Sequence, residues 1–460
     1  MTRNALRAAA LLLCFTGLTR ADDEAPVSTR VVADHVVLIS IDGLRPEFYR
    51  DASYPMPLLQ RWAREGAQAE EVLGIFPSVT YPSHTTMITG ALSARHGIFY
   101  NSPFEPEGAP TGRWFWEAAA IRAPTLWDAC RAAGKKTAAV SWPVTVGAPI
   151  DLNLPEIWTL DKKADPLAPL RAGATPGLLE EIEREVTGSR SELTFSLDWS
   201  SRDLRSAQMA AHLLERHRPA LLAVHLLAAD HHMHSHGREH PRVRQALALL
   251  DAALSVIEEA AERAELLDRT AFVVTGDHGF VNTHLQVAPN VWLVEHGLRA
   301  AAKDKGPDWR ATFHASGGGA FLQLRRPDDA EAVAQVRAIL AGLPAQVRAG
   351  FRVVERAELD RYGVDPSVPL ALAGEDGWGM TSAGDGPAVR ASGGGTHGFA
   401  PELPRMQTGL VLYGAGVRGG AIARRVSLTD VAPLVARLLG IDFQAPDGLL
   451  PAGLVKPLKK

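Results

Sequence analysis

Acidic and histidine side chains follow directly after three apolar runs of this 460-residue sequence. In an α/β fold, ligands collect beyond the carboxyl ends of the strands, so side chains at those ends are candidates for binding or catalysis. A single Asp after a strand is usually a turn residue or a helix cap, and only the combination of several is informative. The groups are Asp42 after residues 36–41, Asp230 after residues 221–227, and Asp277 with His278 after residues 270–275.

Two further histidines extend this set. His234 comes four residues after Asp230, and on a helical turn that spacing places both side chains on one face, where they can share a metal. His397 lies in a glycine-rich stretch, residues 393–398. It would be a metal ligand from near the C-terminal end of the sequence, placed by a loop that packs over the site. Most of the other histidines near Asp230 are interpreted as parts of a polar, solvated loop: His225, His231, His232, His236 and His240.

The candidate ligands therefore comprise three aspartates and three histidines. Zinc binds nitrogen and oxygen donors, and a catalytic zinc needs three protein ligands so that one position stays open. Two metals about 4 Å apart can stabilise both the attacking and the leaving oxygen of a phosphoryl transfer. The donor set predicts a centre of two zinc ions suited to phosphate chemistry.

A threonine near a proline is the candidate nucleophile. Pro82 suits the first turn of a helix, so Thr80 would lie at the helix N-terminus. Free backbone N–H groups and the helix dipole favour a phosphate at that position. A plain threonine cap is the simpler interpretation of this segment alone, and a threonine hydroxyl activated by a metal is the functional one.

The elements that must position these side chains alternate along the chain. Such repeated strand–helix units predict an α/β fold with a largely parallel central sheet flanked by helices, over residues 35–460. Residues 308–390 are rich in glycine, proline and charge and are interpreted as an inserted cap subdomain. The predicted strands are 36–41, 137–142, 221–227, 270–275, 320–324 and 410–413, and the predicted helices are 124–133, 203–217, 242–267, 329–340 and 428–439.

The N-terminal residues 1–21 predict a signal peptide, with Arg3 and Arg7 before an apolar stretch and Ala21 as the cleavage site. No later run is apolar enough to span a bilayer. Removal of the signal would leave Cys130 as the only cysteine, which excludes a disulfide within the mature chain. We expect a bacterial protein exported to the periplasm or the medium. The net charge of −4 gives no reason to expect a nucleic-acid polymer as partner.

These segments, in order from about residue 36 to residue 441, resemble the nucleotide pyrophosphatase/phosphodiesterase family of the alkaline phosphatase superfamily. The resemblance implies an alkaline-phosphatase-like fold and hydrolysis of a phosphodiester or pyrophosphate bond in a small or nucleotide substrate. The motifs that carry it are Ile41-Asp42-Gly43-Leu44-Arg45, the run Phe76 to Pro82, Thr89-Gly90, His96-Gly97-Ile98 with Asn101, Ser141-Trp142-Pro143, Asp230-x-x-x-His234-x-x-Gly237, Asp277-His278-Gly279 and Thr396-His397-Gly398.

The resemblance also implies roles for individual residues. Thr80 would attack phosphorus and form a covalent intermediate, which water then hydrolyses. Asn101 would donate to a non-bridging phosphate oxygen, which is electrostatic stabilisation of developing charge. One zinc would be bound by Asp42, Thr80, Asp277 and His278, and the other by Asp230, His234 and His397.

The chain departs from the family pattern at two positions. Ser83 stands where an Asn is common, and Val144 follows Trp142-Pro143 where a Gly is usual. Both departures concern the substrate pocket rather than the metal ligands.

Other functions remain open on the same fold. A phosphate monoesterase would hold the dianion with a Lys-x-Arg pair, whereas this sequence has Lys162-Lys163 in that region. A sulfatase would need a Cys or Ser in a Cys/Ser-x-Pro-x-Arg signature. A non-catalytic protein that binds phosphorylated ligands would have lost a ligand or the nucleophile.

The substrate and the oligomeric state stay undetermined by the sequence. Nucleotides, dinucleotides, glycerophosphodiesters and lipid head groups all present the same reacting phosphate. Aromatic side chains near the motifs are candidates for stacking a base, although each is more often part of a core. These are Phe99, Tyr100, Trp114, Trp116 and Trp142.

Overall fold

The computed structural model describes residues 32–105, 111–188, 198–300 and 308–457. The predicted signal peptide, residues 1–21, lies outside these ranges. The strands are β1 His35–Ile41, β2 Ala67–Leu73, β3 Thr137–Val140, β4 Leu152–Leu154, β5 Leu221–Leu226, β6 Thr270–Thr275, β7 Val281–Asn282, β8 Leu285–Val287, β9 Ala311–Ser316, β10 Gly319–Leu324, β11 Phe351–Glu355, β12 Leu370–Gly374, β13 Trp378–Met380, β14 Val389–Ala391, β15 Gly395–Thr396, β16 Leu410–Gly414 and β17 Ala421–Ser427.

Helices connect most of these strands. No helix within the described ranges combines the length and the apolar character needed to cross a bilayer. The α-helices are Glu47–Arg50, Pro57–Glu65, Thr80–Thr89, Ser93–His96, Leu126–Ala132, Ala168–Gly173, Leu178–Ile182, Trp199–His217, Ala228–His236, Pro241–Arg263, Pro289–Glu295, Ala330–Gly342, Ala345–Arg348, Arg356–Tyr362 and Val431–Leu439.

An eight-stranded sheet forms the centre of the fold, in the order β17-β2-β16-β6-β1-β5-β3-β4. β1 pairs in parallel with β5 on one side and with β6 on the other. The antiparallel pairs are those that β16 makes with β2 and β6. The predicted α/β fold with a largely parallel central sheet is therefore confirmed.

Helices cover both faces of this sheet, which explains why its central strands are almost continuously apolar. Successive side chains of β1 point to opposite faces. Val37, Ile39 and Ile41 pack in one core with the helices Trp199–His217 and Pro241–Arg263. Val36 and Leu38 pack in a second core, together with the helix Val431–Leu439.

The helix boundaries follow from local capping. The predicted helix 124–133 runs from Leu126 to Ala132, and Thr125 with Asp128 forms a capping box at its start. The predicted helix 203–217 begins four residues earlier, at Trp199, because the Asp198 side chain accepts the Ser201 N–H.

A second, antiparallel sheet, in the order β11-β12-β10-β9, lies within residues 308–390. The helix Ala330–Gly342 packs against it. The same core also includes Val287, Trp292 and Leu293, which precede residue 308. This packing unit therefore begins before the predicted insertion, and the bounds of the cap subdomain stay an interpretation.

Candidate functional site

The three acidic groups meet at one edge of the central sheet. β6, β1 and β5 are neighbours, and their parallel register places their carboxyl ends side by side. Asp42 follows β1, Asp277 follows β6, and Asp230 lies in the first turn of the helix that follows β5. The sheet topology thus brings Asp42 together with Asp230 and Asp277, which follow it in the sequence by 188 and 235 positions.

Asp42, Asp277 and His278 form one side of this cluster, and all three are buried. The Nε2 atom of His278 is 3.3 Å from Asp42 Oδ1 and 3.2 Å from Asp277 Oδ2. The other Asp277 oxygen, Oδ1, accepts the backbone N–H groups of Gly43 and His278 at 3.0 and 3.1 Å. That pair of hydrogen bonds leaves Oδ2 turned toward His278 and Asp42.

Asp230, His234 and His397 form the other side. Asp230 Oδ1 is 3.4 Å from the Nε2 of His234, as expected for residues four apart on one helix, and 3.7 Å from the Nε2 of His397. This trio matches the set predicted for one zinc ion. Asp230 also groups with Asp42 and His278, so its carboxylate lies between the two halves of the cluster.

Each of the three histidines presents the same nitrogen to the cluster. The Nδ1 atoms face backbone carbonyls at 2.9–3.0 Å: Gly279 for His278, Gly395 for His234 and Ser78 for His397. A ring that donates from Nδ1 leaves the lone pair of Nε2 free to bind a metal. The hydrogen bonds to the backbone therefore prepare all three rings as ligands.

Several donor atoms of the cluster are buried without a hydrogen-bond partner among the described residues. A buried polar atom with no partner is costly, and it signals a missing ion or water. These atoms are Asp42 Oδ1, Asp230 Oδ1, Asp277 Oδ2 and His278 Nε2. Together they fit one or more metal ions, with nitrogen and carboxylate oxygen donors of the kind that zinc accepts.

The electrostatics of the cluster also favour a cation. Burial raises the pKa of Asp42 well above its ordinary value, and the carboxylates of Asp230 and Asp277 raise it further. Burial likewise raises the pKa of Asp230 to about 6. Burial lowers the pKa of His278 to about 3 and that of His397 well below its usual range. The low pKa values of the histidines keep their imidazoles neutral, as metal ligation requires, and the raised pKa values of the carboxyls reflect burial and crowded negative charge that a bound cation would offset.

Thr80 is the first residue of its helix, as predicted, and the helix continues to Thr89. The next N–H group, that of Tyr81, is accepted by Asn101 Oδ1 at 2.9 Å. This bond fixes the orientation of the Asn101 amide and leaves its NH2 group as the available donor. Thr80 and Asn101 both line one cavity of about 540 Å³, together with Asp42, Asp230, His234 and His397.

The rest of this cavity is mostly apolar. Of the five aromatic residues proposed for base stacking, Trp114 lines the cavity. Tyr100 instead packs against Phe321, and Trp142 packs against His84. Lys162 and Lys163 are exposed and do not line it. Its apolar and aromatic walls comprise Trp114, Val140, Leu154, Ile157, Trp158, Leu170, Leu179, Ile182, Trp199, Met209 and Leu227.

Two histidines at the site were missed or set aside by the sequence analysis. His225 is not part of a solvated loop: it is fully buried within β5, and its Nε2 lies 3.1 Å from Asp42 Oδ2. The signal that could have found it is a lone histidine inside an apolar strand. His84 is also buried, with Nδ1 2.8 Å from the Thr80 carbonyl. The loop interpretation is also wrong for His231, His232 and His236, which lie in the helix Ala228–His236 because that segment continues the helical turn begun at Ala228. His236 is nevertheless exposed, and its ring stacks with those of His232 and His240.

Comparison with known proteins identifies the family. The type I phosphodiesterase/nucleotide pyrophosphatase family matches residues 36–400. The chain belongs to this family. Membership confirms both the predicted resemblance and the predicted enzyme class, a hydrolase of phosphodiester or pyrophosphate bonds.

Curated members of the family are distant in sequence. A bis(5′-adenosyl)-triphosphatase of Xenopus laevis is 22% identical over 458 residues, which cover 96% of this chain and 84% of that protein. Ectonucleotide pyrophosphatase/phosphodiesterase family member 1 of Homo sapiens is 21% identical over 421 residues. That match covers 88% of this chain but only 40% of the human protein.

Solved structures of family members share the fold. Human ectonucleotide pyrophosphatase/phosphodiesterase 5 superposes with a TM-score of 0.66 at 19% identity, covering 90% of this chain and 97% of that structure. An inactive variant of the murine protein, in complex with AMP, superposes with a TM-score of 0.64 at 18% identity and covers 89% of this chain and 96% of its own. Likeness at this identity establishes the alkaline-phosphatase-like fold.

Proposed function

We propose that this chain is a zinc-dependent phosphodiesterase and nucleotide pyrophosphatase with Thr80 as its nucleophile. The observation that carries the proposal is the set of unpartnered, buried carboxylate and imidazole atoms at the cavity where the Thr80 helix begins. Family membership supplies the class of reaction, and the donor set supplies the reason for a metal.

Two zinc ions fit the available ligands. In this proposal one zinc is held by Asp42, Thr80, Asp277 and His278, and the other by Asp230, His234 and His397. When bound, the ions supply positive charge that activates a hydroxyl group and stabilises phosphate oxygens. The buried donors without partners among the described residues support this assignment, since the two ions together would satisfy all of them.

The residues of the chain then divide the reaction between them. The Thr80 hydroxyl oxygen attacks phosphorus, so that an Oγ–P bond forms and the bond to the leaving oxygen breaks. Water next attacks the same phosphorus, which breaks the Oγ–P bond and restores Thr80. Asn101, whose Oδ1 is engaged by Tyr81 N–H, donates from its NH2 group to a non-bridging oxygen.

A phosphodiester is better supported as substrate than a phosphomonoester. A diester carries a second organic group, and the apolar and aromatic walls beside Thr80 offer a surface for it. Among the described residues that line the cavity, Arg202 provides the only guanidinium and no lysine is present. The murine relative in complex with AMP, inactivated by a threonine-to-alanine substitution, makes a nucleotide ester the first candidate.

The deciding experiment compares wild type with Thr80→Ala on p-nitrophenyl thymidine monophosphate, bis-(p-nitrophenyl) phosphate and p-nitrophenyl phosphate, with zinc and with chelator. We expect zinc-dependent activity that favours the diesters and falls at least 1000-fold in the variant, since loss of a nucleophile leaves only the residual effects of binding. Full activity in Thr80→Ala would refute the nucleophile. Preference for the monoester would move the assignment to a phosphatase.

Two further expectations belong to the same proposal. Elemental analysis of the purified protein should give two zinc ions per chain, and a different metal or count would change the assignment. We also infer export to a bacterial periplasm or medium from residues 1–21, and cell fractionation of the full-length protein tests it.

A further inference from the structure

A histidine within the central sheet connects the metal cluster to the wall of the cavity. His225 lies in β5, every residue of which is buried, and its own side chain is fully inaccessible. A buried imidazole has two nitrogens that need partners. Nε2 is 3.1 Å from Asp42 Oδ2, and Nδ1 is 2.9 Å from Glu156 Oε2. Both nitrogens therefore face carboxylate oxygens, which accept hydrogen bonds from them.

The chain of contacts extends beyond Glu156 toward the nucleophile. Tyr81 is completely buried, and its hydroxyl donates to Glu156 Oε1 at 3.1 Å. Each Glu156 oxygen thus has its own partner, so the carboxylate is held from two sides. Glu156 lines the cavity, and Tyr81 directly follows Thr80. The result is a series of hydrogen bonds from Tyr81 through the partly buried Glu156 and the buried His225 to Asp42.

This series decides which oxygen of Asp42 faces the cluster. With Oδ2 engaged by His225, the oxygen that remains is Oδ1, which has no hydrogen-bond partner among the described residues and lies 3.3 Å from the Nε2 of His278. A carboxylate that rotated freely would lose part of its affinity for a metal to conformational entropy. Hydrogen bonds to a ligating side chain typically change metal affinity by about 10- to 100-fold.

We propose that His225, itself held by Glu156, is a positioning residue that orients Asp42 and thereby sets the affinity of the site for zinc. The inference rests on the proposed function, because it takes Asp42 as a zinc ligand. It adds two residues that neither the motifs nor the family comparison assign. A purely structural role would predict a less stable protein whose zinc affinity is unchanged once it is folded.

The test measures zinc affinity and thermal stability of the purified full-length chain in chelator-buffered zinc. In His225→Phe, which keeps a ring but removes both nitrogens, we expect zinc to bind 10- to 100-fold more weakly than to wild type. In Glu156→Gln the new amide can still donate to His225 Nδ1, while the Nε2–H of His225 donates to Asp42. We therefore expect zinc affinity to fall less than tenfold. His35→Gln is the control. His35 is a buried histidine at the end of β1 opposite to Asp42, and its ring is hydrogen-bonded to the Pro219 carbonyl. The zinc affinity of this variant should stay within twofold of wild type.

The outcomes separate the two proposals. If wild type binds no zinc, the proposed function fails before the variants are compared. If wild type binds zinc and His225→Phe binds it within twofold as tightly, the positioning role is refuted and the proposed function stands. Should His225→Phe not fold, His225→Gln replaces it, since its amide keeps one donor. We then expect a zinc affinity at least threefold below wild type, and equal affinity would overturn the inference.

Discussion

Replacing Asn101 separates two functions of one side chain, one seen in the structure and one that we propose. Its Oδ1 accepts the N–H of Tyr81 at 2.9 Å, and that N–H belongs to the first turn of the Thr80 helix, where backbone donors have no partner within the helix. Its NH2 group is left to donate to the phosphate in our proposal. Asn101→Ala removes both interactions, whereas Asn101→Asp removes only the second.

The expected magnitudes differ between the two variants. In Asn101→Ala a partly buried N–H loses its acceptor, which should lower the free energy of unfolding by about 1–3 kcal/mol. Loss of a donor to the developing charge should lower kcat by about 100- to 1000-fold. In Asn101→Asp the carboxylate still accepts the Tyr81 N–H, and a negative charge at a helix N-terminus is favourable by about 0.3–1 kcal/mol. Its charge, however, repels the phosphate, so activity should fall further than in Asn101→Ala.

The assay therefore compares two rankings. Urea unfolding should rank the free energies of unfolding as Asn101→Asp at or above wild type and Asn101→Ala below both. Initial rates on p-nitrophenyl thymidine monophosphate with saturating zinc should rank activity as wild type, then Asn101→Ala, then Asn101→Asp. Activity within fivefold of wild type in Asn101→Ala would refute the role in phosphate binding. Equal destabilisation of both variants would refute the importance of the bond to Tyr81.

Three other predictions concern the metal, pH and the cysteine. Removal of zinc by a chelator should lower the midpoint of thermal unfolding, because zinc at 100 times its Kd stabilises the folded state by about 2.7 kcal/mol per site. A midpoint that does not change when zinc is added would contradict the proposed zinc site. Burial raises the pKa of Asp203 to about 7, above its unfolded value near 4. Between these pH values the folded state binds more protons than the unfolded state, so the free energy of unfolding falls as pH rises from about 4 to 7. The slope of the unfolding free energy against pH should be flatter in Asp203→Asn, and a slope equal to that of wild type would contradict this prediction. Burial raises the pKa of the Cys130 thiol to about 12. Iodoacetamide at pH 8 should therefore alkylate Cys130 in the denatured chain but not in the native one. Rapid alkylation of the native protein would contradict the burial of Cys130.

Local sequence signals determined much of the fold. Strand β6 has the predicted bounds, since an apolar run ended by Gly276-Asp277 leaves little freedom. Thr80 begins its helix as Pro82 predicts, and Thr125 caps the helix that starts at Leu126. Asp230 and His234 lie on one helix because their spacing matches the helical period. In each case the information lies within a few residues.

Pairing between distant segments was not available from the sequence. β2 and β17 pair in parallel at the sheet edge, with partly polar strands that carry little periodic signal. The antiparallel sheet within residues 308–390 also went largely unpredicted. Its strands are held by long-range hydrogen bonds, and the propensity of a short strand depends on the neighbours that it packs against.

The sequence by itself determined which residue types stand at strand ends, where the Thr80 helix begins, and which family the motifs resemble. Only the tertiary structure decided how those residues meet. The order β6-β1-β5 places three carboxylates together, and the burial of His225 beside Asp42 converts a histidine that looked incidental into part of the site. The reason is physical: ligand distances and burial depend on strand order and helix packing, and these arise from contacts between residues far apart in the chain.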